Sequence, residues 1–245
     1  MEGRLAPFGD VIGYARNMND SKGIEVYSCD YDSANRSLYR SSSQFVNVRE
    51  DGVFFGFKYQ CVEFARRWLV LALNVTFESI DMAYEGFDLT SFKQLPDMND
   101  IPIECIENGS IEVGKRPVYG NVIIWNEGGY FRSTGHIGII TEATDSYVRI
   151  AEQNYDDLYW PKGQDYSREL PVLLGTEDGS YSIVDSTMPE FPDCGVTSVR
   201  GWIRVLLNKP EANTSSSACA AATATVTTAT SSSSSSTSSS SSSSS

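Results

Sequence analysis

Residues 55–69 read FGFKYQCVEFARRWL and decide the fold of this 245-residue chain. Apolar side chains recur there with the 3.6-residue period of an α-helix, which the pattern extends over residues 59–74. They are Val62, Ala65, Leu69 and Ala72, flanked by Phe64, Trp68 and Leu71. The pattern therefore predicts a largely buried helix with Cys61 at its start.

Cys61 is a candidate nucleophile because of this position. The dipole of a helix favours negative charge at its N-terminus, and a neighbouring imidazolium would favour the thiolate further. A cysteine at a helix start is, taken alone, more often an inert buried thiol, so the position leaves both interpretations open.

A single histidine, His136, is present in the chain. Any cysteine and histidine mechanism must therefore use it. It stands in the run GHIG of residues 135–138, where Gly138 is expected to leave space beside the imidazole.

Two predicted strands, residues 136–141 and 147–152, form a hairpin. A turn in the middle of their connection places His136 opposite Glu152 on one face of the sheet. Because side chains alternate along a strand, Asn154 belongs to that face as well. A slip of one or two residues in register remains open. The sequence thus predicts that these three side chains converge at one end of the hairpin.

The rest of the pattern indicates a sheet. Strands are predicted at residues 11–14, 24–27, 101–106, 122–125, 181–185 and 201–206, and residues 77–95 are mixed, with a possible second helical stretch. One early helix followed by an antiparallel sheet is an α+β layout.

Charge limits the partners. The formal net charge is −13, with 32 Asp and Glu against 19 Lys and Arg. Such a chain repels nucleic acid and anionic membrane surfaces and attracts cationic small molecules. Acidity can also serve solubility alone.

Five cysteines, at positions 29, 61, 105, 194 and 219, are spaced widely and form no CxxC pair. Neither a zinc site nor a disulfide framework is indicated, and we expect no metal and no cofactor. The first residues lack the apolar core of a signal peptide. A reducing, cytoplasmic location is expected.

The C-terminal part has a different composition. Residues 214–245 consist almost wholly of Ser, Thr and Ala, which cannot bury a core. We expect one folded domain over residues 1–207 and a disordered tail over residues 208–245.

Three blocks, residues 55–69, 135–138 and 151–155, resemble the signature blocks of the CHAP family of papain-like cysteine amidases and peptidases. Within that family the chain is most similar to the amidase domains that accompany glutathionylspermidine and trypanothione synthetases. The resemblance extends over residues 6–206. It implies a papain-like fold of the CHAP and NlpC/P60 type, in which an N-terminal helix bearing the nucleophile packs on an antiparallel sheet.

The resemblance also implies roles for the candidate residues. Cys61 is the nucleophile, His136 is the general base and then the general acid, Glu152 orients the imidazole, and Asn154 supports the site. The backbone N–H of the nucleophile contributes to the oxyanion site in such enzymes.

Two further positions are candidates. Gln60 is a second donor to the oxyanion. Arg66 matches a family position for substrate contact, although a helical pair with Glu63 explains it equally well.

The chain departs from the family pattern in two places. Residues 120 and 121 are Gly-Asn where many members have Gly-Asp, which affects turn capping. The bifunctional relatives continue into an ATP-grasp synthetase, whereas residues 208–210 lead here into the Ser-rich tail. Synthesis of an amide bond is therefore not expected.

Hydrolysis of a glutathione–polyamine conjugate is the function that the resemblance favours, with glutathionylspermidine as substrate and trypanothione as a second one. A peptidoglycan-cleaving amidase or endopeptidase with the same three residues is the first alternative. A catalytically silent regulatory module is the second, and a secreted protein with a glycosylated stalk is conceivable.

Overall fold

An antiparallel sheet and one helix packed against it form the framework of the described structure. The computed structural model describes residues 5–34, 45–186 and 198–207. The strands are β1 Val11–Ala15, β2 Ile24–Tyr27, β3 Val46–Val48, β4 Phe54–Phe57, β5 Val75–Thr76, β6 Ser91–Gln94, β7 Asn99–Glu107, β8 Val122–Trp125, β9 His136–Ala143, β10 Tyr147–Ala151, β11 Arg168–Leu174, β12 Tyr181–Ile183 and β13 Val199–Val205. The helix α1 spans Cys61–Leu73, and short 3-10 helices occupy Ala83–Asp88, Val113–Lys115 and Gly129–Phe131.

Nine of these strands form one sheet in the order β12-β11-β10-β9-β8-β13-β7-β6-β5. Every neighbouring pair in it is antiparallel. Strands β1 and β2 form a separate ribbon, as do β3 and β4. The α+β class expected from the sequence is confirmed.

Helix α1 forms where the sequence predicts it, between two clear signals. It begins after Gln60, whose backbone is extended, and it ends at Asn74, whose left-handed φ of 56° is a common helix stop. The helix is largely buried, as expected, although Leu71 is 48% exposed. It packs against β4, β5 and β9.

Apolar side chains cover both faces of the central strands. One cluster joins α1 to alternate residues of β8 and β9, including Val122, Ile137 and Ile139. The other contains the intervening residues Ile123 and Ile140 together with residues of β10 to β13. Because strand side chains alternate in direction, this double burial explains why β8 is apolar at every position.

The hairpin of β9 and β10 differs from the prediction in its register. Val148 pairs with Ala143, and Ile150 pairs with Ile140, with an irregularity between Arg149 and Ile150. The connection is shorter than predicted, so that β9 extends to Ala143. The cross-strand pairing of His136 with Glu152 is therefore wrong by two residues, within the slip left open.

Other predictions differ in detail. The mixed stretch 77–95 holds a 3-10 helix, Ala83–Asp88, and strand β6. Strand β11 was not predicted, because Pro171 interrupts a sequence in which Arg168, Leu170 and Val172 alternate inward.

The proposed disordered tail, residues 208–245, and Cys194 lie outside the described residues. The boundary at residue 207 stays a prediction. No helix in the described ranges is long and apolar enough to cross a membrane.

Candidate active site

His136 and Glu152 meet despite the shifted register. His136 Nε2 lies 2.9 Å from Glu152 Oε2, and both side chains are buried. Glu152 follows β10 directly, opposite Gly138, two residues along β9 from His136. A Cβ atom at Gly138 would stand 3.4 Å from Glu152 Cβ and 3.1 Å from the Ala151 carbonyl oxygen. The space that Gly138 leaves is thus occupied by Glu152, which reaches diagonally to the imidazole.

Cys61 approaches the imidazole from helix α1. Its thiol lies close enough to His136 for its negative charge to raise the pKa of the imidazole, and both side chains line the same cavity. Because Glu152 occupies Nε2, the nitrogen available to the thiol is Nδ1. The structure therefore brings together the three predicted side chains in the order cysteine, histidine, carboxylate, which is the order that an activated thiol requires.

The protonation of His136 reflects these neighbours. Burial is the largest influence on its pKa and lowers it, but the negative charge and hydrogen bonds of Cys61 and Glu152 outweigh burial and raise the pKa to about 9. The imidazolium form consequently persists at neutral pH, beside the thiol.

Aromatic rings hold the imidazole from two sides. Phe131 stacks in parallel on it, with ring centroids 4.3 Å apart and planes 1° apart. Trp125 meets it edge-on at 5.3 Å. Rotation of the ring is restricted by this packing, so its two nitrogens stay aimed at Cys61 and Glu152.

A buried polar network ties the start of α1 to the end of β10. Glu63 Oε1 accepts hydrogen bonds from Arg67 Nε at 2.6 Å and Asn47 Nδ2 at 2.7 Å, and Glu63 Oε2 accepts one from Gln153 Nε2 at 2.8 Å. Arg67 Nη2 donates to Gln153 Oε1 at 2.9 Å. Since Glu63 and Gln153 are near neighbours of Cys61 and Glu152 in sequence, this network fixes the distance between the thiol and the imidazole.

Replacing Glu63 by alanine should lower the free energy of unfolding by about 3–5 kcal/mol, because the buried Arg67 would lose its carboxylate. Glu63 is completely buried, and Arg67 is 5% exposed. Urea titration of the variant would measure the loss. Glu177→Ala, at an exposed position, is the control and should change stability little. A Glu63→Ala variant as stable as that control would contradict the structural role of the network.

Gln60 and Asn154 contact each other at the edge of the site. Asn154 Nδ2 donates to Gln60 Oε1 at 2.8 Å, and Gln60 Nε2 donates to the Tyr31 hydroxyl at 3.0 Å. Asn154 thus positions Gln60 rather than His136. Both residues line the same cavity as Cys61.

Arg66 also lines this cavity, but its guanidinium is bound to the backbone. Nη1, Nε and Nη2 donate to the carbonyl oxygens of Phe55, Phe77 and Glu78 at 2.6, 3.2 and 3.1 Å. Glu63 forms its ion pair with Arg67 instead, so the helical pair of Arg66 with Glu63 is not what the structure shows. Arg66 connects α1 to the segments on either side of it and leaves a positive charge at the cavity wall.

Residues that the sequence analysis assigned no role complete the surroundings of Glu152. Arg168 Nε donates to Glu152 Oε1 at 2.6 Å and Nη2 donates to Oε2 at 3.0 Å. Ser167 Oγ lies 2.9 Å from Oε1. Burial is the largest influence on the pKa of Glu152 and raises it, but the charge of Arg168 and the bonds from His136 and Arg168 hold the pKa at about 2. The inward alternation of residues 168, 170 and 172 was the signal for this strand.

Asn121 keeps the turn that precedes β8. Its Oδ1 accepts a hydrogen bond from the Val118 backbone N–H at 2.9 Å. An amide oxygen thus serves as the cap in place of a carboxylate, and no contact with the three central residues is involved.

The cavity above Cys61 has a volume of about 1240 Å³. His136 and Cys61 lie at its wall, and Glu152 lies behind them. The charged side chains that complete the lining within the described residues are Arg66, Asp81 and Arg132.

A helix that carries a cysteine at its first residue and packs on an antiparallel sheet, with histidine and glutamate at the strand ends, defines the papain-like class of fold. Residues 52–154 match the model of the CHAP domain.

Two known proteins that are similar to the chain are larger than it. The chain is 38% identical over 198 residues to the bifunctional glutathionylspermidine synthetase/amidase of Escherichia coli. The aligned residues cover 81% of this chain and 29% of that protein. It is 33% identical over 210 residues to the trypanothione synthetase of Crithidia fasciculata. The aligned residues cover 84% of this chain and 28% of that synthetase. The chain thus spans less than a third of the length of these relatives.

Proposed function

We propose that this chain is a thiol amidase that hydrolyses glutathione–polyamine conjugates, with glutathionylspermidine as its first substrate and trypanothione as a second. The observation that carries the proposal is the contact of Cys61 with an imidazole whose other nitrogen is bound by Glu152, at the wall of a large cavity. Similarity to the glutathionylspermidine synthetase/amidase supports the choice of substrate.

Acylation uses both groups that the site holds in contact. The Cys61 thiolate attacks the carbonyl carbon of the glycyl residue in the conjugate. The His136 imidazolium donates its Nδ1 proton to the polyamine nitrogen as the C–N bond breaks, and the free amine leaves. A thioester between Cys61 and glutathione remains, and His136 is neutral.

Deacylation regenerates the enzyme. Neutral His136 accepts a proton from a water molecule that attacks the thioester carbon, and the C–S bond breaks. The glycyl carboxyl group releases its remaining proton to solvent, glutathione leaves as the carboxylate, and the ion pair of thiolate and imidazolium is restored. Glu152 stays ionised throughout, as its low pKa requires.

The developing oxyanion needs donors near Cys61. Cys61 is the first residue of α1, and the N–H groups of a first helical turn have no partner inside the helix. Its own N–H is therefore a donor, and the Gln60 side chain lies in the same cavity. Asn154 and Tyr31 hold that side chain in place.

The charges of the cavity suit the glutathione part of the substrate. Two arginines, Arg66 and Arg132, face one aspartate, Asp81, among the described lining residues. The γ-glutamyl carboxylate of glutathione matches the positive side chains. Attraction of the cationic polyamine then comes from the rest of the acidic surface, which acts at longer range.

Hydrolysis of glutathionylspermidine should exceed cleavage of peptidoglycan fragments by orders of magnitude. The kcat/KM for the conjugate should fall as ionic strength rises, because salt screens the attraction between the chain and the polyamine. Parallel assays of both substrates at low and moderate salt, with release of free amine as the signal, would measure this. An uncharged thioester substrate is the control, because its turnover should not vary with salt.

Each alternative gives a distinct result in that assay. Preference for the peptidoglycan fragment would transfer the assignment to a cell-wall hydrolase. Absence of turnover for every substrate would indicate the regulatory module. Turnover of the conjugate that is independent of salt would keep the amidase and remove the electrostatic explanation.

A further inference from the structure

We infer that Arg168 and Asp185 form a positioning pair behind the active site, which keeps Glu152 ionised and thereby maintains the thiolate and imidazolium form of Cys61 and His136. The inference deepens the proposed function, and its link to that function is the assignment of Cys61 as the reactive thiol.

Arg168 contacts two carboxylates at once. Besides its two bonds to Glu152, its Nη1 lies 3.0 Å from both carboxylate oxygens of Asp185. The side chains of Arg168, Asp185 and Glu152 are 9%, 3% and 1% exposed. A guanidinium fork presents its donors in a fixed plane, so it fixes the orientation of Glu152 as well as its charge.

Asp185 is also linked to the imidazole through Trp125. Trp125 Nε1 donates to Asp185 Oδ2 at 2.9 Å, and the Trp125 ring meets His136 edge-on. Glu152, Arg168, Asp185 and Trp125 thus form a closed ring of contacts that begins and ends at His136. A displacement of any member is transmitted to the imidazole from two directions.

The charges of this group favour an imidazolium. Glu152 and Asp185 carry two negative charges and Arg168 carries one positive charge, which leaves a net charge of −1 in a buried region. A positive charge on His136 neutralises it. Without Arg168, Glu152 would lose a guanidinium charge and two hydrogen bonds in a buried region, which favours its protonated form.

Other ionisable groups act on these side chains. They are Cys61 from α1, Tyr130 before β9, and Tyr155 and Asp156 from the segment after β10. The Arg168 guanidinium lies 3.7 Å from the centre of the Tyr155 ring. The positive charges that lower the pKa of Glu152 are those of Arg168 and His136, so Arg168 supplies the charge that takes no part in proton transfer.

Arg168 and Asp185 lie outside the range that matches the CHAP domain, residues 52–154. Strand β11 brings Arg168 beside β10, where Ile150 pairs with it, and the segment after β12 brings Asp185. The functional unit therefore extends beyond the matched domain by two strands.

The test is the rate at which iodoacetamide alkylates Cys61, measured from pH 5 to pH 10 by mass spectrometry. The reaction reports the thiolate and needs no substrate. In the wild type, Cys61 should react rapidly at pH 6. In Arg168→Met, the rate at pH 6 should fall at least tenfold and the curve should move to higher pH, because Glu152 becomes protonated. Arg168→Lys should recover part of the rate, since it restores the charge without the fork.

Asp185→Asn provides a second and milder change. It makes the Glu152 and Arg168 pair neutral overall and weakens the stabilisation of the imidazolium, so the alkylation curve should move to higher pH by less than in Arg168→Met. Arg149→Met is the matched control, because Arg149 forms ion pairs on neighbouring β10 with 31% of its side chain exposed. Its profile should equal that of the wild type.

The outcomes separate this inference from the proposed function. A folded Arg168→Met protein with the wild-type alkylation profile would overturn the inference. If that variant does not fold, an unchanged profile in both Asp185→Asn and Arg168→Lys would overturn it. Failure of the wild type to hydrolyse glutathionylspermidine, with the expected alkylation shifts intact, would reject the substrate alone.

Discussion

Cys61→Ala should lower turnover of glutathionylspermidine by at least about 10³-fold, because Cys61 is the only thiol among the described residues that line the cavity. Substrate affinity should stay within about tenfold of the wild type. The thiol forms bonds only along the reaction path, whereas contacts with the bound conjugate come from the cavity wall. Single-turnover kinetics and equilibrium binding to the variant would measure the two quantities separately.

Cys105→Ala is the matched control. Cys105 is exposed, on strand β7, and takes no part in the cavity lining. Its replacement should leave turnover unchanged. Substantial turnover by purified Cys61→Ala would remove Cys61 from the role of nucleophile, whichever substrate the protein prefers.

His136→Ala should lower kcat at neutral pH by about 10²–10⁴-fold, since the proton donor to the leaving amine and the base for water are lost together. No other histidine exists in the chain to substitute for it. Progress curves at saturating substrate would give the loss. A variant within tenfold of the wild type would show that the thiol acts without the imidazole.

The raised pKa of His136 predicts how the rate and the stability of the wild type depend on pH. Because the pKa of His136 is raised to about 9, the rate should fall as pH rises through about 9, where the imidazolium is lost. Stability follows the same direction: a raised folded-state pKa stabilises the fold below the ordinary pKa of histidine, and this contribution disappears as pH rises through about 9. The lowered pKa of Glu152 has the opposite effect. It stabilises the fold above the ordinary pKa of a glutamate, and this contribution is lost as pH falls to about 2.

Local patterns explain why the sequence predicted so much of the site. The helix at Cys61–Leu73 and strands β8, β9 and β10 follow from periodicities that span a few residues. The position of Cys61 at a helix start follows from the residues next to it in the sequence. A single histidine removed any choice of base.

The register of the β9 and β10 hairpin needed information that short segments lack. The turn begins later than predicted, so that β9 runs to Ala143, and the irregularity between Arg149 and Ile150 moves the pairing again. Gly138 then admits Glu152 diagonally to His136. Such adjustments depend on how both faces of the sheet are packed, which no hairpin sequence contains.

The sequence by itself predicted the class of fold and the three central side chains, because helix and strand periods and a scarce residue type are readable over short distances and the resemblance to the CHAP family supplied their roles. Only the tertiary structure placed Arg168 and Asp185 behind Glu152, and Gln153 beside Glu63. These contacts join residues 16 to 90 positions apart. They arise from strand order in the sheet, and buried charges find their partners only when that order has brought them together.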